Sequence, residues 1–165
     1  MIRRCYDPYL LNEHPTYIEC LVCEEWHNFQ NFAKWYEENY YEIKGERMNL
    51  DKDILVKENK IYSPETCIIV PDKINSLFTK RNNDRGKYPI GVSYHETHNI
   101  LDVHCNKGGE QEYLGRFPLD KPFQAFTAYK NFKESYVKKV ADEYKELIPV
   151  ELYNAMYNYK VDIND

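Results

Sequence analysis

The sequence predicts an α+β fold, and three observations lead to this prediction. Apolar residues recur at three- and four-residue steps in two long segments, which is the period of an amphipathic helix. Five shorter runs rich in β-branched and aromatic residues lie between those segments, separated by Gly, Pro and Asn. Hydrophobic residues make up 42% of the 165 residues, and 16 residues are tyrosine, so the chain can build a core.

The N-terminal half is predicted to contain one helix, then a strand, a second strand and a short helix. Residues 1–20 carry two prolines and no clear period, so we expect loop or short irregular helix there. The stretch EEWHNFQNFAKWYEEN predicts a helix over residues 24–39. Strands are expected over residues 50–56 and 66–70, and Pro71 suits the first turn of a helix that continues through KINSLFTK.

The C-terminal half is predicted to contain a three-stranded antiparallel sheet backed by a long helix. Strands are expected over residues 90–95, 100–105 and 112–117, with NKGGEQ as the second turn. Residues 118–148 then carry an apolar stripe at helical spacing, so a long helix is expected to cover one face of the sheet. Pro149 ends that helix, and VELYNAMYNY predicts a short last helix.

Two domains are predicted, residues 1–80 and 81–165, with the boundary at the basic stretch KRNNDRGK. The net charge is −5, but the charge differs by region. Residues 73–116 carry seven basic and five acidic side chains, whereas residues 1–50 carry five basic and nine acidic ones. Contacts with phosphates are therefore expected in the positive region.

The five cysteines are expected to be free thiols or metal ligands, because the cytoplasm keeps thiols reduced. Cys20-x-x-Cys23 has the spacing of a zinc knuckle, in which a tight turn brings two thiolates onto one ion. Cys5 and Cys67 would complete a structural zinc site if the N-terminal segment folds over the hairpin. The alternative is a set of four buried apolar cysteines.

Asp51, Asp53 and Asn75 suggest a second, catalytic type of metal site. A strand, strand, helix unit with acidic residues at its first strand is the geometry with which ββα-metal nucleases hold one ion, so Mg²⁺ or Mn²⁺ is expected if the chain cleaves DNA. Such a site also needs a general base, and Lys52, with a reference pKa of about 10.4, does not serve readily. The alternative is a charged pair on a solvated edge, because residues two apart on a strand share a face.

The C-terminal sheet and the loop before it offer candidate contacts with DNA. A three-stranded ribbon can lay its open face in a major groove, where side chains at alternate positions reach base edges. Basic side chains of the loop would contact phosphates, and the alternative is ordinary solvation of that loop. The candidate DNA-binding residues are Lys80, Arg81, Arg85, Lys87, Ser93, His95 and Arg116.

Two groups of motifs resemble known families. The first group resembles motifs of the phage-encoded HNH-type endonucleases, which have a ββα-metal fold. It consists of RCYDP, YIECLVCEEWHNFQNFAKW, LDKDILVKENKIYSPETCIIVP and INSLF. The second group resembles motifs of the Apetala-type DNA-binding domain, which is often fused C-terminally to such nucleases. It consists of YPIGVSYHETHN, YLGRF and AFTAYKNFKE. The resemblance covers nearly the whole chain, and it implies an HNH-like, zinc-stapled domain followed by an Apetala-type domain with C-terminal helices.

The resemblance also implies roles for single residues. Asp51 falls at the acidic metal-side position and Asn75 at the helix position that often ligates metal. Lys52 falls where active members carry the catalytic histidine, and Thr66 where they carry the middle asparagine, so two of three signature positions depart from the active pattern. The family's motifs also contain cysteines at positions that correspond to Cys5, Cys23 and Cys67, with Cys20 completing the set.

Three hypotheses for the function follow. The leading one is a phage-type protein of the HNH endonuclease family that binds double-stranded DNA, with weak or lost cleavage activity. The second is an active metal-dependent DNA nickase or endonuclease. The third is a nuclease-like fold reused as a protein-binding inhibitor of a host defence system, which would explain the acidic total and the missing base. No apolar run reaches the ~18 residues of a membrane span, so we expect no membrane partner and a location in the host cytoplasm.

Overall fold

A computed structural model describes residues 1–79 and 87–165 of the chain. The described chain divides into two compact units, Met1–Asp72 and Lys73–Asp165, named unit 1 and unit 2 below. The predicted α+β fold is confirmed, because helices and strands both occur and are interspersed along the chain. None of the helices in the described residues combines the length and the apolar character needed to cross a bilayer.

Short helices make up the start of unit 1, where the sequence predicts loop or short irregular helix. Helix α1 covers Ile2–Tyr6, helix α2 covers Pro8–Glu13, and Pro15–Tyr17 forms one 3-10 turn. Asp7 separates the two helices, and its side chain accepts a hydrogen bond from the backbone N–H of Tyr9 at 3.0 Å. This bond caps α2, with Pro8 at its first position, as is usual for helix starts.

The helix predicted over residues 24–39 begins five residues later than expected. Glu24–His27 forms a 3-10 turn, and the regular helix α3 covers Phe29–Asn39. Asn28 explains the break, because its side-chain oxygen accepts the backbone N–H of Gln30 at 3.0 Å and its own backbone is extended. An asparagine in this geometry is an N-cap and therefore starts a helix rather than continuing one.

Unit 1 contains two small sheets. Strand β1 (Leu21–Val22) pairs in parallel with β3 (Ile61–Tyr62), and β2 (Met48–Asp51) pairs antiparallel with β4 (Ile68–Pro71). The antiparallel pair is the predicted hairpin, and β4 runs directly into helix α4 (Asp72–Phe78). The strand, strand, helix order of the sequence prediction is therefore present in the chain.

The strand predicted over residues 50–56 is wrong after Asp51. The Asp51 side chain accepts the backbone N–H groups of Asp53 at 2.8 Å and of Ile54 at 2.7 Å. An aspartate that binds the backbone two and three residues ahead closes a turn, so the strand ends there. Asp53 lies in this turn, and the expectation that it shares a strand face with Asp51 is wrong.

Unit 2 contains the predicted three-stranded antiparallel sheet and the predicted long helix, and both are confirmed. The sheet order is β5 (Val92–His95), β6 (Ile100–Asn106), β7 (Gln111–Pro118). Helix α5 covers Pro122–Tyr144, and α6 covers Val150–Tyr157. The middle strand carries the core, since Leu101, Val103 and Cys105 pack with Ala125, Phe126 and Tyr129 of α5.

Gly91, just before β5, allows the sheet and α5 to approach each other closely. Its φ of 78° lies in the left-handed region, and a Cβ atom there would come within 2.1 Å of the Tyr129 ring. Only glycine fits both requirements. Since α5 covers the face that carries Leu101 and Val103, residues at the alternate positions of β6 point to the other face. That other face is called the outer sheet face below.

Candidate functional site

One row of side chains crosses all three strands of the outer sheet face. The register pairs Ser93 with Asp102 and Asp102 with Arg116. Arg116 Nε donates to Asp102 Oδ1 at 3.1 Å, and the side chains of Arg116 and Asp102 are 53% and 10% exposed, respectively. The guanidinium is therefore open to a phosphate or a base edge, although the carboxylate beneath it opposes its charge.

Histidine and tyrosine rings extend this row. His104 lies opposite Tyr113 across β6 and β7, with ring centroids 5.3 Å apart, next to a register irregularity between Val103 and His104. His95, at the end of β5, stacks near His98 with ring centroids 4.7 Å apart. Apart from Ile100 and Pro118 at one end, the residues described on the outer sheet face are polar or aromatic, which suits contact with nucleic-acid bases more than burial in a core.

The predicted basic loop is only partly described. Lys80, Arg81 and Arg85 lie outside the described residues. Lys87 is exposed, and its ammonium lies 5.2 Å from the ring centroid of Tyr88. This distance is within the range of a cation–π contact, so Lys87 presents its charge beside an aromatic ring.

The candidate catalytic carboxylates in unit 1 surround a buried lysine. Lys52 is 8% exposed, and its Nζ donates to Asp53 Oδ2 at 2.8 Å and to the backbone oxygen of Asn59 at 3.0 Å. One oxygen of Asp51 is already used by the two backbone N–H groups that close the turn. Both carboxylates therefore have protein partners, and the ammonium of Lys52 is the cation that Asp53 binds.

The pKa values of this cluster follow from burial and from the neighbouring charges. Burial raises the pKa of Asp51 to about 6, and the negative charge of Asp53 adds to the increase. Burial by itself would lower the pKa of Lys52, but the hydrogen bond and the charge of Asp53 outweigh it and raise the pKa overall. Lys52 therefore stays protonated near neutral pH and does not act as the general base of a nuclease.

Asn59 holds this cluster in place, a role that the sequence analysis missed. Its side-chain nitrogen donates to the backbone oxygens of Lys52 at 2.6 Å and of Ile61 at 2.7 Å, and its side-chain oxygen accepts the Ile61 N–H at 3.1 Å. The available signal was an asparagine in KENKIY between two β-prone runs, because asparagine binds nearby backbone in turns.

The third candidate catalytic residue, Asn75, lies on α4 and belongs to unit 2. Its side chain is half-buried, and its backbone oxygen accepts a hydrogen bond from Thr79 Oγ1 at 3.4 Å. The structure thus brings Asp51 and Asp53 together within unit 1, whereas Asn75 belongs to unit 2.

The four candidate zinc ligands lie in one apolar cluster of unit 1. Cys5, Cys20 and Cys67 are buried, and Cys23 packs against them. Burial raises the pKa of the Cys67 thiol to about 12 and also raises that of Cys5, so these sulfurs favour the protonated form in the chain by itself. The predicted gathering of the N-terminal cysteines and Cys67 is therefore present.

The arrangement of the thiols differs from a zinc knuckle. The two residues between Cys20 and Cys23 form strand β1, so the predicted tight turn is wrong. Three steps of extended backbone span about 10 Å, which is farther than the tight turn of a knuckle separates its two cysteines. Within residues 1–79 and 87–165, no three or more His, Cys, Asp or Glu side chains are grouped so that they would hold a metal ion.

The same cluster also contains a buried hydrogen-bond donor. The indole Nε1 of Trp26 is buried and has no hydrogen-bond partner among the described residues. A thiolate sulfur is an acceptor that would satisfy such a donor. The types of donor atom in unit 1 therefore fit zinc, and zinc binding by these cysteines stays a prediction.

No family model, curated protein or solved structure matches the chain. The protein is therefore classified by its own fold and candidate sites. It is an α+β protein of two units, with a lysine-centred carboxylate cluster in unit 1 and a polar sheet face in unit 2.

Proposed function

We propose that the chain is a phage-type DNA-binding protein of the HNH endonuclease family, which holds double-stranded DNA on the outer sheet face of unit 2 and cleaves it weakly or not at all. The observation that carries this proposal is the row of Ser93, Asp102 and Arg116 across β5, β6 and β7, on the face that α5 leaves open. The sequence motifs that resemble the Apetala-type domain cover the same strands.

The chemistry of this face supports contact with DNA. A guanidinium that is half exposed can donate to a phosphate or to a guanine edge, and the hydroxyl of exposed Ser93 can donate to either. Ser93 Oγ also donates to the backbone oxygen of Asp102 at 3.3 Å, which holds the hydroxyl on this face. Lys87 adds a positive charge in the same net-positive region of the sequence.

The cluster around Lys52 supports the loss of cleavage. A metal-dependent nuclease needs free carboxylate oxygens for its ion and a base to activate water. Here Asp53 binds the ammonium of Lys52, and Asp51 binds backbone N–H groups. Because Lys52 stays protonated, it does not replace the histidine that active relatives carry at this position.

A mobility-shift titration of labelled duplex DNA at about 50 mM and about 200 mM salt tests the DNA-binding proposal. We expect binding at low salt that weakens steeply as salt rises, because phosphate contacts release counterions. Arg116→Gln should weaken binding and reduce the salt slope by about 1. Arg3→Gln, which removes an exposed arginine in unit 1, is the matched control and should leave the titration unchanged. Absence of binding at low salt, or binding without salt dependence, overturns the proposal.

Removal of the Asp102 charge tests the same proposal, and here the expected change is tighter rather than weaker binding to DNA. Asp102→Asn removes a negative charge from the middle of the row and releases the guanidinium of Arg116. We expect tighter binding to DNA, about threefold or more, in the same titration. Weaker or unchanged binding would show that the outer sheet face does not meet phosphate.

Cleavage is tested separately with supercoiled plasmid in the presence of Mg²⁺ or Mn²⁺. The wild-type protein and Asp51→Ala should both leave the plasmid intact, or nick it equally slowly. Nicking by the wild-type protein that Asp51→Ala abolishes would favour the active nickase, with Asp51, Asp53 and Asn75 as the metal-side residues.

Structural zinc on Cys5, Cys20, Cys23 and Cys67 stays a prediction of the sequence. Elemental analysis of the purified protein should find about one zinc per chain, and Cys67→Ser should lose it. Cys105→Ser, which removes the buried cysteine of unit 2, is the control and should retain the metal. A wild-type preparation with only trace zinc after expression in zinc-supplemented medium contradicts the prediction.

A further inference from the structure

Helix α3 and the residue after it carry a row of aromatic side chains that the other described residues leave largely uncovered. Phe29, Phe32, Tyr36 and Tyr40 follow one another at three- and four-residue steps and are called the aromatic stripe below. No residue of α3 is buried. Phe29 is 69% exposed, Tyr36 37% and Tyr40 43%, so the stripe presents ring surface to solvent.

Three of the four rings of the stripe contact one another. The ring centroids of Phe32 and Tyr36 lie 6.0 Å apart, and those of Tyr36 and Tyr40 lie 5.1 Å apart in a stacked arrangement. At its base, Phe32 packs edge-on against buried Trp26, with centroids 5.1 Å apart. Rigid rings lose little conformational freedom when a partner binds, which favours their use as a contact surface.

The segment that contains the stripe is strongly acidic, and of its glutamates Glu38, two residues after Tyr36, lies on the opposite side of the helix. Between residues 24 and 42 there are five glutamates and one lysine, Lys34. All five carboxylates are exposed, and none has an ion-pair partner within residues 1–79 and 87–165; they are Glu24, Glu25, Glu37, Glu38 and Glu42. Exposed rings together with unmatched negative charge favour the binding of a cationic group that stacks on rings.

We propose that the aromatic stripe docks an arginine-rich segment of a partner protein. Guanidinium groups stack on tyrosine and phenylalanine rings and donate paired hydrogen bonds to carboxylates, so arginine uses both features of this surface. The proposal is independent of DNA binding, because nucleic acid is repelled by the same glutamates.

Charge complementarity selects this occupant over a second copy of the chain. Residues 1–50 carry nine acidic and five basic side chains, and a symmetric contact between two stripes would bring both sets of glutamates together. Like charges across an interface oppose association. A basic partner segment removes that repulsion instead.

Peptide binding followed by fluorescence anisotropy tests the proposal with the full chain. The probe is a short labelled synthetic peptide of alternating arginine and glycine, compared with the same peptide carrying glutamine in place of arginine. We expect the arginine peptide to bind at least about tenfold more tightly and to weaken as salt rises. Equal binding of the two peptides overturns the proposal.

Variants separate stacking from simple charge attraction. The double change Tyr36→Ala and Tyr40→Ala should weaken the arginine peptide about tenfold, because it removes two ring contacts and no charge. Phe123→Ala removes a ring of unit 2 that is 68% exposed, more than Tyr36 or Tyr40, and this variant should bind the peptide like the wild type. If the tyrosine variant also binds like the wild type, attraction is by charge only and the stripe is not the docking surface.

Light scattering after size-exclusion chromatography tests whether a second copy of the chain covers the aromatic stripe. The wild-type chain should elute as a monomer over a range of concentrations. A dimer that Phe29→Ala dissociates would show that a second copy covers the stripe, and it would overturn the proposal.

Discussion

Two buried lysines, Lys52 in unit 1 and Lys133 in unit 2, meet opposite surroundings. They are 8% and 6% exposed, respectively, so both have been removed from water to a similar extent. Lys52 donates to Asp53 and to the backbone of Asn59. Lys133 lies on the covered side of α5 and makes no hydrogen bond or ion pair with the described residues.

The difference shows in the direction of their pKa shifts. Burial lowers the pKa of Lys133, and the Cys105 thiol beside it opposes this only in part. The pKa of Lys52 is raised, because the contribution of Asp53 outweighs the same burial effect. The ammonium of Lys52 is therefore stabilised by its acceptors, whereas burial of the Lys133 side chain opposes its charge.

Among the variants that test this comparison, Lys52→Met should change the free energy of unfolding most. The variant loses two charge-assisted hydrogen bonds of the buried cluster, and we expect the free energy of unfolding to fall by about 2 kcal/mol. Urea denaturation followed by circular dichroism measures the change. Lys60→Met, at a lysine whose side chain is 47% exposed, should stay within about 0.5 kcal/mol of the wild type. An equal effect at both positions would contradict the role of the cluster.

The pH dependence of Lys52 follows from its raised pKa. A base whose pKa is higher in the folded state than in the unfolded state contributes stability that is full below the unfolded value of 10.5 and is lost as the pH rises through the folded value. The deficit of Lys52→Met should therefore stay constant up to about pH 10.

Lys133→Met should change stability in the opposite direction. Methionine keeps the unbranched apolar stem and removes the buried charge, so we expect a gain of about 1 kcal/mol at neutral pH in the same denaturation experiment. Lys139→Met is the matched control on the same helix, because that side chain is 71% exposed. A loss of stability would mean that the Lys133 ammonium has an acceptor that offsets its burial.

The advantage of Lys133→Met should shrink as the pH rises. The pKa of Lys133 is lower in the folded state than the unfolded value of 10.5, so the unfolded chain binds the proton more tightly. The wild-type protein therefore gains stability as the pH rises through the folded pKa towards 10.5, and the variant lacks this gain. Denaturation at about pH 7 and about pH 10 compares the two.

Asp51→Asn should give the smallest effect. The pKa of Asp51 is raised from 3.8 to about 6, so the folded chain binds the proton more tightly and loses stability as the pH rises from about 4 to about 6. Asparagine keeps the side-chain oxygen that closes the turn and removes this dependence. We expect the variant to gain less than about 1 kcal/mol relative to the wild type over that interval, because Asp51 is only half-buried and solvent screens its charge. A variant that shows the same pH profile as the wild type would contradict the assignment.

Regular patterns in the sequence predicted the elements that depend on neighbouring residues. The apolar stripe within residues 118–148 predicted α5, and the β-prone runs predicted β5, β6 and β7 to within two residues at each end. Departures arose where one side chain changes the backbone. Asn28 starts α3 late and Asp51 ends β2 early, each by binding a backbone N–H nearby.

These sequence patterns could not predict contacts between residues that are distant in the chain. The spacing of Cys20 and Cys23 suggests a turn, but pairing of β1 with β3, about forty residues away, extends that backbone instead. Arg116 and Asp102 were each visible as charged residues, whereas their ion pair depends on the register of two strands. Register determines which side chains face each other and is set by the whole sheet.

The sequence by itself determined the α+β class, the order of its elements and the positive region before and within the C-terminal sheet, because these depend on periodicity and on local charge. Only the tertiary structure decided that Lys52 binds Asp53, that Lys133 lacks an acceptor among the described residues, and that Phe29 and Tyr36 of α3 stay exposed. Burial and pairing depend on which distant segments pack together, and for that reason the pKa values of two similarly buried lysines shift in opposite directions.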